Sequence, residues 1–136
     1  MSFVLDSSVA LAMLLPDEQS AATDSLAERL APSPAFAPSI WPLEVRNALL
    51  AALRSRRITG REFDERVAVL EALPIEVEVA ADRERLARTV AFARLYDLSS
   101  YDAAYLELAK DRGVALATLD SRLRVACGKA KIAILP

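Results

Sequence analysis

The feature that most constrains this chain is the alternation of short apolar runs with helical patterns. "SFVLD", the stretch around Ala35 to Ala37, "PIEVEV", "VALATLD" and "KIAIL" have strand length, and the segments between them repeat apolar residues every three or four positions. Parallel strands need a crossover long enough to hold a helix, so this order predicts an α/β fold with a mostly parallel sheet of five strands. About seven helices are expected. Their spans are about Ser8 to Leu15, Glu18 to Leu30 after Asp17 as N-cap, Ile40 to Arg56 after Ser39 as cap, and a capping-box helix from Thr59 and Glu62 to Ala72. Three more follow, from about Arg83 to Leu95, from near Ser100 to Gly113, and from about Ser121 to Ala126. With 136 residues, 54% of them hydrophobic, the expectation is one domain over residues 1–136.

What is missing narrows the chemistry. There is no histidine, which removes imidazole acid–base catalysis, Ser-His-Asp and Cys-His schemes and histidine-bound zinc. The only glycines are Gly60, Gly113 and Gly128, too few and too scattered for a phosphate-binding loop or a dinucleotide fingerprint. A single cysteine, Cys127, allows no internal disulfide. No apolar stretch reaches membrane-spanning length and the N-terminus lacks a basic flank, so a cytoplasmic protein without a membrane is expected. Net charge of −2 gives no overall pull toward nucleic acid, so any such contact must be local. Only Lys110, Lys129 and Lys131 among the 17 cations are lysine; arginine suits phosphate oxygens, although coding bias produces the same skew. An enzyme of this composition has to work mainly with carboxylates.

Four carboxylates occupy unusual places. Asp6 and Asp120 close "FVL" and "VALATL", and ligands of open parallel sheets sit beyond the carboxyl ends of strands. Each also precedes a helix and fits an N-cap. Asp102, in "SSYDAAYLELAKDR", shares a helical stripe with Tyr105, Leu106 and Ala109, while its place after Ser99 also fits first-turn capping. Glu44, in "SIWPLEVRNALLAAL", shares its face with Ile40, Asn47, Ala48 and Ala51 and is read as lying beyond the first turn, which leaves an ion pair with arginine as the competing account. If the four meet, like charges require a counter-cation. A hard divalent ion with oxygen ligands, Mg²⁺ or Mn²⁺, meets that need and also suits phosphoryl chemistry.

The order "VLDSS", "PLEVRNAL", "LSSYDAAYLELA" and "ATLD" resembles that of PIN-domain ribonucleases of the VapC type, the toxins of toxin–antitoxin pairs. The resemblance implies a three-layer α/β/α fold. It implies Asp6 and Asp102 as principal metal ligands, Glu44 as a ligand directly or through water, and Asp120 as the acid completing a catalytic set. Ser8, Asn47 and Thr118 would take the supporting polar places. It further implies Mg²⁺- or Mn²⁺-dependent hydrolysis of RNA without the 2′-hydroxyl as nucleophile, a homodimer, and a cognate antitoxin covering the acidic pocket. Asp97, in the near-duplicate "YDLSSYD", is read as a turn residue.

Several side readings stay open. "RSRR" at 54–57 either complements a helix C-terminus or meets RNA phosphate, and Trp41 and Tyr101 either stack on a base or belong to core or dimer contacts. Two other functions compete with the nuclease. A phosphotransfer or phosphatase domain would also place an acid after the first strand, but such a phosphatase wants a second Asp where Ser8 stands, and a receiver wants a late lysine where "TLDSRLR" stands. A non-catalytic protein-binding module would bury its acids against arginine.

Overall fold

The computed structural model describes all residues, 1–136. Its elements are β1 (Phe3–Leu5), α1 (Ser7–Leu14), α2 (Ala21–Arg29), β2 (Ala35–Ala37), α3 (Trp41–Arg54), α4 (Gly60–Ala72), β3 (Ile75–Val77), α5 (Arg83–Tyr96), α6 (Ser100–Arg112), β4 (Ala115–Ala117), α7 (Ser121–Ala130) and β5 (Ile134–Leu135). The five strands form one sheet in the order β3-β2-β1-β4-β5, with every pair parallel. The α/β class expected from the alternating pattern is the class observed.

Connectivity divides the helices between the two faces of the sheet. The chain steps from β1 to β2 to β3 in one direction through α1–α4, then crosses back and steps from β4 to β5 in the other through α7. Right-handed crossovers in opposite directions put their helices on opposite faces, which makes three layers. Packing agrees: α1 touches α2, α3 and α4, whereas α6 touches α5 and α7. Strand β1 lies in the middle, and Phe3, Val4 and Leu5 are wholly buried, as expected of a strand covered on both sides. Each such side chain contributes roughly 1.5–3 kcal/mol of hydrophobic stabilisation.

Local signals set most boundaries, and the departures have local causes. Thr59 and Glu62 form the expected capping box, and Gly113 ends α6 in the left-handed region at φ 64°. Helix α2 begins later than Glu18. Pro16–Glu18 form a 3₁₀ turn, and Ser20, not Asp17, is the cap, in a reciprocal box with Thr23. Helix α3 starts at Trp41 after an Ile40 cap that makes no side-chain bond, so the Ser39 cap is not formed. Helix α7 runs on to Ala130, beyond the expected end at Ala126. Asp97 is the left-handed cap of α5, in keeping with its reading as a turn residue.

Candidate metal centre

Order in the sheet reverses at the seam between β1 and β4, and it is beyond the strand ends at such a reversal that ligands of open parallel sheets bind. Asp6 follows β1 directly and is 4% exposed. Its backbone N–H continues the seam by donating to Ala117 O at 3.0 Å. As N-cap of α1, its Oδ1 accepts from Ser7 N at 2.8 Å. Its Oδ2 accepts from the Ser8 and Thr118 hydroxyls, each at 2.7 Å. Those hydroxyls also accept: Leu119 N donates to Ser8 Oγ and Asp120 N to Thr118 Oγ1, both at 3.0 Å. Two hydroxyls, those of Ser8 and Thr118, therefore tie the Asp6 carboxylate to the loop after β4.

The other acids arrive from three helices. Asp120 caps α7, its Oδ1 accepting from Leu123 N at 2.9 Å. Asp102 lies half-buried in the first turn of α6, whose cap is Ser99. Its pKa is raised by burial and by the charges of Asp120 and Asp6, against opposing contributions from Ser99 and Arg122. Glu44 is also half-buried, and its pKa is raised by burial, with the charges of Asp6 and Asp102 adding to it. Asp6 and Asp102 thus act on Glu44, and Asp120 and Asp6 on Asp102, which links the four acids electrostatically through Asp6 and Asp102.

Two details of α3 differ from the sequence reading. Its core stripe is Trp41, Val45, Leu49 and Ala52, one residue round from the expected face, so Asn47 and Ala51 are exposed and Glu44 stands at the stripe's margin. Because the helix starts at Trp41, Glu44 falls in the first turn, where an acid also interacts favourably with the helix dipole. Asn47 lines an open cleft of about 510 Å³ with Ser39, Ile40, Leu43, Glu44 and Tyr101, and makes no hydrogen bond to any of the acids.

Tyr105 is the residue the sequence reading missed as a functional one. Wholly buried, it donates its hydroxyl to Glu44 Oε1 across α6 and α3. Burial first, then Glu44 and Asp6, push its pKa up, so it stays a donor. The available signal was its place three residues after Asp102, because a buried tyrosine hydroxyl needs a partner. Of the aromatic candidates for stacking, Trp41 belongs to the core and Tyr101 is 64% exposed beside the cleft. In "RSRR", Arg57 is engaged by Asp17 and Glu18 at 2.8 and 2.9 Å, while Arg54 and Arg56 are exposed.

No arginine or lysine forms an ion pair with Asp6, Glu44, Asp102 or Asp120; all nine ion pairs of the chain lie elsewhere. The buried acid that is paired with arginine is Glu107, held by Arg85 at 3.1 Å and Arg88 at 3.3 Å. The donor set is thus all hard oxygen, carries excess negative charge and has no ion-paired cation, although the charge of Arg122 reaches Asp102, and this fits a divalent cation. No three of these side chains converge tightly enough to enclose an ion by themselves. A hard divalent ion that takes one or two carboxylates and keeps several waters does not require three converging side chains.

Comparison with known proteins agrees with this architecture. The PIN domain family model matches residues 3–129, a span that contains all four acids. The fold is similar to that of PAE2754 from Pyrobaculum aerophilum, at 22% identity and a TM-score of 0.72, over 98% of this chain and 83% of that one. It is similar to FitAcB from Neisseria gonorrhoeae at 18% identity and 0.69, over 100% and 97%. VapBC2 from Rickettsia felis, in a structure bound to a DNA fragment from its promoter, gives 11% and 0.67, over 98% and 97%. No curated protein matches. The seam carrying the acids, the all-parallel sheet around it and the family match across nearly the whole length lead to one conclusion: this chain belongs to the PIN domain family.

Proposed function

We propose that residues 1–136 form a single PIN domain that acts as a Mg²⁺- or Mn²⁺-dependent endoribonuclease, the toxin of a VapC-type toxin–antitoxin pair. The observation that carries this reading is the set of four acids at the β1–β4 seam with no cationic side chain paired to any of them. Asp6 and Asp102 would hold the ion, with Glu44 binding it directly or through water and Asp120 completing the acidic wall. A bound divalent ion polarises phosphoryl oxygen and makes coordinated water more acidic. The protein's part is to hold oxygens still. Ser8 and Thr118 fix one oxygen of Asp6, and Ser7 N engages the other while leaving it acceptor capacity. Water then displaces the sugar oxygen from phosphorus, with no part for the 2′-hydroxyl as nucleophile.

The toxin role rests on the motif order from "VLDSS" to "ATLD" and on the likeness in fold to VapBC2. It implies a cytoplasmic homodimer and a cognate antitoxin that covers the acidic pocket. No helix is long and apolar enough to cross a membrane. Asp6→Asn is the direct test. The variant should fold yet lose Mn²⁺-dependent cleavage of single-stranded RNA, and retained cleavage would remove Asp6 from the mechanism. A non-catalytic binding module predicts acids neutralised by arginine, an arrangement seen at Glu107 and not at these four.

A further inference from the structure

Tyr105 follows Asp102 by three residues on α6, so one face of one helix carries both side chains. Glu44 comes from α3, 61 positions earlier, and its Oε1 accepts from the Tyr105 hydroxyl. The Ser7 hydroxyl lies beside the same phenol. Packing alone does not call for that hydroxyl. A phenylalanine would fill the same buried volume and would bring no polar atom in need of a partner. Glu44, for its part, has no other hydrogen-bond donor and no ion pair, and its Oε2 carries no bond at all. The phenol is thus the one group that holds this carboxylate in place.

We propose that Tyr105 is a positioning residue for the divalent ion. It pins Glu44 through Oε1, leaves Oε2 available to the ion or to water on it, and links Glu44 to the helix that delivers Asp102. Two acids from separate helices are thereby kept in register through a single hydroxyl. The inference rests on the metal-nuclease reading and adds to it a residue that acts through Glu44.

The test is calorimetric titration of Mn²⁺ into metal-free protein, with a thermal melt confirming that each variant is folded. Outer hydrogen-bond partners of metal ligands change metal affinity by roughly 10–100-fold. Tyr105→Phe should therefore weaken Mn²⁺ binding by about tenfold while keeping the ring in the core. On RNA it should lower kcat with little change in KM. In a Glu44→Ala background the same substitution should add nothing, because the acceptor of its hydrogen bond is already gone. Undiminished Mn²⁺ affinity in Tyr105→Phe, with the parent protein binding normally, overturns the positioning role alone. A full further loss in the Glu44→Ala background overturns it as well, since the hydroxyl would then act by another path. Failure of the parent protein to bind Mn²⁺ overturns the metal reading and this inference together.

Discussion

Thr118 Oγ1 donates a 2.7 Å hydrogen bond to Asp6 Oδ2, joining residues 112 positions apart across the central seam of the sheet. The same hydroxyl oxygen accepts from Asp120 N, so one buried atom orients one acid and sets the backbone of another. Thr118→Val removes both interactions at almost constant volume, leaving Asp120 N without a partner and Asp6 Oδ2 with Ser8 Oγ alone. Such loss costs about 1–3 kcal/mol. Denaturant unfolding should show that drop, and RNA cleavage should fall in step with a misaligned Asp6, whereas Thr118→Ser should restore both.

Metal should stabilise the folded state by mass action. At a hundredfold excess over the dissociation constant the gain is about 2.7 kcal/mol. Millimolar Mg²⁺ or Mn²⁺ should therefore raise Tm by several degrees in the parent protein. In Asp102→Ala most of that rise should disappear. A parent Tm indifferent to millimolar metal would leave the acids without the counter-ion that the metal reading assigns them.

Without metal, pH becomes informative. Burial and neighbouring acids raise the folded pKa values of Glu44 and Asp102 above their ordinary 4.5 and 3.8. A group with a raised folded pKa contributes stability that is complete below the unfolded value and is lost as pH rises through the folded one. In EDTA, stability should therefore decline from mildly acid toward neutral pH more steeply in the parent than in Glu44→Gln/Asp102→Asn. Paired melting curves across that window check it, and parallel curves would contradict the shifts.

Glu107 supplies the contrast between an acid paired with arginine and the four that are not. It is buried between Arg85 and Arg88, and removing its charge weakens both contacts, although Arg85 keeps Glu78 and Arg88 keeps Glu84. Hydrogen bonds to charged groups are worth about 1.5–3 kcal/mol, so Glu107→Gln should reduce stability by about 2 kcal/mol. Cleavage per folded molecule and the response to Mn²⁺ should stay unchanged at low temperature.

Much of this was legible before any coordinates. Strand-length runs bounded by acids marked β1 and β4, the Thr59–Glu62 pair marked the start of α4, and Gly113 marked the end of α6. These features depend on residues within a few positions of one another, which is why the chain alone displays them. The start of α3 is less legible, because its cap makes no side-chain bond, and the buried face of that helix lies one residue round from the face its periodicity predicts.

The sequence by itself determined which side chains are acids, where they stand at strand ends and helix starts, and that neither histidine nor a glycine loop is present to do their work. Only the tertiary structure decided that β1 and β4 are neighbours, that Thr118 meets Asp6, and that Tyr105 reaches Glu44. Those relationships span 61 to 112 residues and depend on strand order and helix packing. Local periodicity carries no record of which strand will lie beside which, since that choice is made by burying several amphipathic faces at once.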